Sequence, residues 1–160
     1  MKKRLIIEPR FAPREIFEQI LEFAVIPTFD LILRFEDQGV ILVRRKIAPY
    51  KHTWALPGLR MMKPEGIEDT LIRIARSEIG VSIDPDRREF IAQYVGRFRT
   101  ERQRQDLSTC YAVPCDALDM ALNSEHFSRS CFIKRKEEIP ARTGAMYRYF
   151  LEIYFDRKSF

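Results

Sequence analysis

The sequence predicts an α/β fold, a mixed sheet with helices on its faces. Three observations carry that prediction. Apolar residues recur at helical spacing near both ends and once in the middle of the chain, and runs rich in strand-forming residues fill the intervals. The 160 residues match the size of one compact domain. With 46% hydrophobic and 32% charged residues, the chain has ordinary globular composition and is too apolar to be disordered.

Residues 13–24 place Ile16, Phe17, Ile20, Leu21 and Phe23 at helical spacing, and Pro13 suits a first turn. An amphipathic helix ending before Pro27 is expected. Residues 29–35 and 40–44 are apolar runs separated by Glu36-Asp37-Gln38-Gly39, a polar turn, and read as a hairpin. Asp30 is out of place inside the first of these strands. Over residues 47–62, Pro49, His52, Trp54, Pro57 and Gly58 resist regular structure and suggest a long loop with a short strand around Trp54. A helix follows over 66–79, closed by Gly80 in the C-terminal cap position. Strands near 90–98 and 108–113 flank an arginine-rich turn, and Phe132-Ile133 is a short strand. The last segment, 144–155, spaces Met146, Phe150, Ile153 and Tyr154 as a helix does.

A net charge of +5 and a pI near 9.2 favour anionic partners such as phosphates, nucleotides or nucleic acid, without choosing among them. Cys110, Cys115 and Cys131 cannot all pair within one chain and lack zinc-site spacing, so they read as reduced thiols in a cytoplasmic protein. The opening MKKRLII is basic, but its apolar run stops at Glu8 and Pro9, too short for a signal peptide. No stretch approaches the roughly 20 apolar residues of a membrane span.

The central helix contains an oddity. With Ile67 at zero and about 100° per residue, Leu71 falls near 40°, Ile74 near −20° and Glu78 near 20°. A glutamate thus sits in the apolar stripe, in the last turn, where the helix dipole opposes it by about 0.3–1 kcal/mol. Burial of an unpaired carboxylate costs far more, so Glu78 requires a metal ion, an arginine, a hydrogen-bond partner or an escape to solvent.

Trp54-Ala-Leu-Pro-Gly-Leu-Arg60, Glu65, Arg73 and Glu78-Ile-Gly80-Val81 together resemble the Nudix box, Gly-x5-Glu-x7-Arg-Glu-U-x-Glu-Glu-x-Gly-U. The chain departs from it at Leu59, Ile74 and Ser77, which stand in place of a glycine and two glutamates. This thinned box is similar to that of the GDP-mannose mannosyl hydrolase branch. The likeness extends to Pro27-Thr28-Phe29-Asp30, Arg45, Gly58-Leu59-Arg60, Tyr111, Glu125-His126 and Arg148-Tyr-Phe-Leu151, so it spans nearly the whole chain.

The resemblance implies a Nudix-like α/β/α sandwich, a homodimer, and an enzyme that cuts a nucleotide sugar between the anomeric carbon and the diphosphate using one Mg2+. Glu78, the carbonyl of Gly58 and Glu125 match metal ligands, with Glu125 standing where the branch has glutamine. His126 matches the general base, a role suited to an imidazole titrating near neutrality. Arg60 and Arg73 match arginines on the leaving group, Arg45 and Tyr111 match diphosphate contacts, and Asp30 matches a sugar contact. Plainer roles stand beside these: Arg73 paired with Glu65 to hold the loop to the helix, and Glu125 and His126 as loop residues. The turn from Arg97 to Arg104 reads either as a solvated hairpin tip or as extra contact with phosphate or nucleic acid. Two other functions fit the same residues. One is a pyrophosphatase acting on ADP-ribose or a nucleoside triphosphate; the other is a nucleotide- or nucleic-acid-binding domain that has lost catalysis.

Overall fold

The computed structural model describes residues 8–116 and 119–158; the basic opening segment lies outside them. Its helices are α1 (Arg14–Phe23), α2 (Ile67–Ile74) and α3 (Ala145–Lys158). Its strands are β1 (Ile26–Phe35), β2 (Gly39–Arg45), β3 (Trp54–Ala55), β4 (Gly58–Arg60), β5 (Glu89–Arg97), β6 (Gln105–Cys115) and β7 (Phe127–Ile133).

The sheet is mixed, as the sequence predicts. Its order is β3-β2-β1-β6-β5, with β4 also on β1 and β7 on β2. β1 runs parallel to β6 over its full length, from Ile26↔Asp106 to Phe35↔Cys115, and the other pairings are antiparallel. One edge of β1 is shared: β4 takes Thr28 to Asp30 and β2 takes Arg34 and Phe35.

Leu31, Ile32 and Leu33 are fully buried, so both faces of β1 are covered, and the strand is continuously apolar for that reason. Odd-numbered β1 residues face α2. On that side Phe29 and Tyr111 stack, and Arg88 lies over Tyr111 while pairing with Glu68 of α2. The other face carries Asp30, Ser108 and Tyr94, and Tyr94 meets Phe150 of α3. Helices therefore flank both faces of the sheet.

The structure departs from the sequence expectations in three places. β4 forms inside the expected loop, because three residues are too few for a periodic signal and their strand state comes from pairing with β1. β7 begins at Phe127 rather than near Phe132; Ser128 to Ser130 lack alternation, and the ladder with β2 extends them. The central helix does not continue as α-helix through Ile79 but widens into a π-turn, Ala75–Ile79, closed by Gly80 in the left-handed conformation at φ 75°. The expected amphipathic helix α1 forms, buries none of its residues, and leaves Ile16 and Phe23 50% and 83% exposed. It is tethered instead by Arg60, 3.7 Å over the Phe17 ring, and by Arg102, 2.9 Å from Glu18.

Candidate active site

A cavity of about 590 Å³ opens where β1, β4, the π-turn, the β5–β6 hairpin and the start of α3 converge. Asp30, Arg45, Gly58, Arg60, Arg73, Glu78, Glu125 and His126 all border it. Tyr111, expected as a diphosphate contact, does not. Its register opposite Leu31 turns the ring to the α2 face, between Phe29 and Phe90, with the sheet separating it from Asp30.

Glu78 points inward and is 1% exposed. Asn123 Nδ2 donates to Glu78 Oε1 at 3.1 Å, and His126 Nδ1 stands 2.9 Å from both carboxylate oxygens. A carboxylate only accepts, so this contact sets the proton on Nδ1 and leaves Nε2 of a neutral ring as an acceptor. The loop that carries these partners is fixed to the helix end. Asn123 N–H donates to the Glu78 carbonyl and Ala121 N–H to the Ile79 carbonyl, each at 2.9 Å, satisfying acceptors that a helix terminus leaves open. Asn123 also folds the loop back, its Oδ1 accepting from Glu125 N–H and its carbonyl from His126 and Phe127 N–H. The sequence reading missed this residue; an asparagine three positions before the histidine, able to close such a turn, was the available signal.

Arg73 makes the expected pair with Glu65. Its Nε–H and Nη2–H donate to both oxygens of Glu65, and Nη2 also reaches the Arg60 carbonyl at 2.7 Å. The side chain of Glu65 is 3% exposed, and this desolvation opposes its ionisation. Hydrogen bonds from Arg73, the Met62 N–H and the Thr70 hydroxyl outweigh that cost and hold its pKa below the ordinary value. The fork ties the β4 loop to α2 while Arg73 also borders the cavity.

Arg45 donates from Nε to the Pro49 carbonyl at 2.6 Å and holds the loop that carries Tyr50 at the cavity rim. Arg60 makes no ion pair among the described residues. Burial lowers its pKa, and the neighbouring guanidiniums of Arg104 and Arg73 lower it further. Asp30 is 4% exposed and accepts a hydrogen bond from the Ser108 hydroxyl. Burial pushes its pKa up to about 7, while Ser108 and Arg45 pull the other way. Gly58 lies against it so closely that a β-carbon there would fall 2.2 Å from Asp30 Oδ1. Only glycine allows β4 to close on β1 at this point. The carboxylate of Glu125 is on an exposed residue at the rim.

The arginine-rich turn divides its work. Arg102 pairs with Glu18 and Glu22 of α1, whereas Arg104 enters the cavity wall and donates to Asp106 at 2.7 Å. Tyr50, Phe98 and Tyr147 meet edge to face within 5.5 Å and form an aromatic wall that the sequence reading did not mark.

Residues 26–150 match the family model described as the NUDIX domain. The chain belongs to the Nudix family. Its fold is similar to that of a MutT NUDIX hydrolase from Burkholderia pseudomallei, with a TM-score of 0.70 at 16% identity over 79% of this chain and 95% of that one. It is also similar to the NUDIX domain of Shewanella oneidensis NrtR complexed with ADP ribose, with a TM-score of 0.67 at 20% identity over 84% and 89%. A curated relative is the low-salt glycan biosynthesis protein Agl8 of Haloferax volcanii, 26% identical over 129 residues, covering 75% of this chain and 78% of that protein.

Proposed function

We propose that this Nudix protein is a magnesium-dependent hydrolase of a nucleotide sugar of the GDP-mannose type. Water attacks the anomeric carbon, the bond to the diphosphate breaks, and GDP leaves with the bonding electron pair. One observation carries the reading: of the glutamates expected in the second half of the box, Glu78 alone is present, buried and facing the cavity. Ser77 lines the wall in place of one partner, and Ile74 lies in the core in place of the other. Attack at carbon asks for little metal chemistry beside the base, and this site offers little.

The donor set fits a magnesium ion. Glu78, Glu125 and the Gly58 carbonyl are hard oxygen donors on one cavity. Among the described residues no three acidic, histidine or cysteine side chains gather to hold a metal by themselves, so the substrate's phosphates and water would complete the shell. Bound there, the ion would neutralise the departing diphosphate. His126, held through Nδ1 by Glu78, presents Nε2 to take the proton from the attacking water. Arg60 supplies a guanidinium fork for phosphate oxygens. Asp30 offers a hydrogen-bonding group to the sugar. The Haloferax relative, whose name places it in glycan biosynthesis, supports a sugar-bearing substrate. The ADP ribose bound by the Shewanella domain favours a second reading, a pyrophosphatase attacking phosphorus.

Turnover of GDP- and UDP-sugars with magnesium in heavy-oxygen water tests the choice. Label in the released sugar is the expected result. Label in phosphate establishes the second reading, and absence of turnover across the panel overturns both.

A further inference from the structure

Beyond the arginines that the family resemblance marks, we infer that Arg104 is a phosphate-binding residue of this cavity, forming with Arg60 a two-guanidinium clamp for the diphosphate. The inference rests on the reading of the cavity as a diphosphate site, and is independent of which bond is cut.

The two side chains reach one cavity from separate parts of the chain, Arg60 from the end of β4 and Arg104 from the hairpin between β5 and β6. Each is held in place before any ligand arrives. Arg60 lies 3.7 Å over the Phe17 ring, with Nε 3.5 Å from the Met62 sulfur. The Arg104 side chain is 16% exposed, its Nε donates to Asp106, and Nη1 stands 3.8 Å from Glu101. Its backbone is fixed as well, the N–H donating to the Glu101 carbonyl and the carbonyl accepting from Phe98 N–H. A guanidinium ordered in advance loses less freedom on gripping an anion.

Charge completes the case. Arg60 has no carboxylate partner among the described residues, and the charges acting on it are the guanidiniums of Arg104 and Arg73. Arg104 and Arg73 already face Asp106 and Glu65, so Arg60 is the guanidinium of the three without a counter-ion among the described residues, and an anion between it and Arg104 supplies one. Arg73 is occupied by Glu65 and the Arg60 carbonyl. Asp106 takes the Nε–H of Arg104 and Glu101 stands beside Nη1, which leaves Nη2 of Arg104 and the Arg60 fork to bind phosphate oxygens.

Calorimetric titration of the full chain with GDP, magnesium present, tests this without turnover. Loss of a charge-assisted contact predicts that Arg104→Gln binds GDP roughly ten- to a hundredfold more weakly, with Arg102→Ala at the tip of the same hairpin unchanged. The double variant Arg104→Gln/Asp106→Asn keeps a neutral hydrogen-bonded pair and should bind as weakly as the single one. Wild-type affinity in Arg104→Gln overturns the inference. So does recovery in the double variant, which would trace the loss to an orphaned Asp106, and so does an equal loss in Arg102→Ala, which would trace it to hairpin displacement. If Arg104→Gln fails to fold, Arg104→Lys carries the test: it retains the Asp106 pair but loses the fork, and a drop of about fivefold supports the inference while unchanged affinity refutes it. No GDP binding by the unsubstituted protein also refutes it. Label appearing in phosphate in the heavy-oxygen experiment would sink the proposed reaction and leave Arg104 in its role.

Discussion

Replacing Asp30 with asparagine should stabilise the protein at neutral pH and leave it nearly unchanged in acid. The carboxyl is 4% exposed and its pKa is pushed from 3.8 to about 7, chiefly by burial. A folded-state pKa above the unfolded value means that the folded chain holds its proton while the unfolded chain releases it. Stability contributed by this group is therefore complete below about pH 4, falls as pH rises to about 7, and is flat beyond. At about 1.4 kcal/mol for each pKa unit, the full penalty reaches about 4 kcal/mol. Asparagine cannot ionise, yet it still accepts a hydrogen bond from Ser108, so the variant escapes the penalty without leaving that hydroxyl unpaired. Urea unfolding of both proteins at about pH 4, 5.5 and 7.5 measures the difference, which should grow with pH and then level off. A difference that stays constant, or one that shrinks as pH rises, would refute the claim that Asp30 is buried against its own ionisation.

Glu78→Gln should abolish magnesium-dependent turnover while shifting the melting temperature by only a few degrees, since glutamine still accepts from Asn123; retained turnover would end the metal assignment. His126→Ala should slow hydrolysis by about 10²–10⁴ while leaving GDP binding intact, and turnover at the wild-type rate would rule out His126 as the base. Arg73→Met leaves Glu65, whose side chain is 3% exposed, without its cation and should cost about 3 kcal/mol in urea unfolding; wild-type stability would show the pair to be idle. Gly58→Ala drives a methyl to 2.2 Å from Asp30 Oδ1 and 2.7 Å from the Phe29 carbonyl, and a loss of about 1–3 kcal/mol is expected by thermal melting.

Much of the fold was legible before any coordinates. The runs forming β1, β2, α2 and α3 are long enough for their period to be read, and Glu78 stood out because it breaks the period of its own helix. Its inward direction was legible too, but its partners were not. Asn123 and His126 lie 45 and 48 residues away, and the hydrogen bonds that join them to Glu78 leave no local trace in the chain. Short elements were lost for a related reason. β4 has three residues, and its state comes from the backbone of β1 rather than from its own composition.

Amino-acid order alone fixed the family pattern, the three helices, most of the strands and the short list of acidic and basic residues from which a site is built. Those properties depend on neighbours within a few positions, where spacing reports directly on which side chains share a face. Folding settled which of those residues meet. The register of β6 on β1 turned Tyr111 to the α2 face, and Arg73 met Glu65 across eight residues of chain. Arg104 joined Arg60 because a hairpin more than 40 residues downstream closes over the same cavity. Register, pairing and burial are contests among distant groups for the same space and the same hydrogen bonds, and their outcome exists only once the chain has packed.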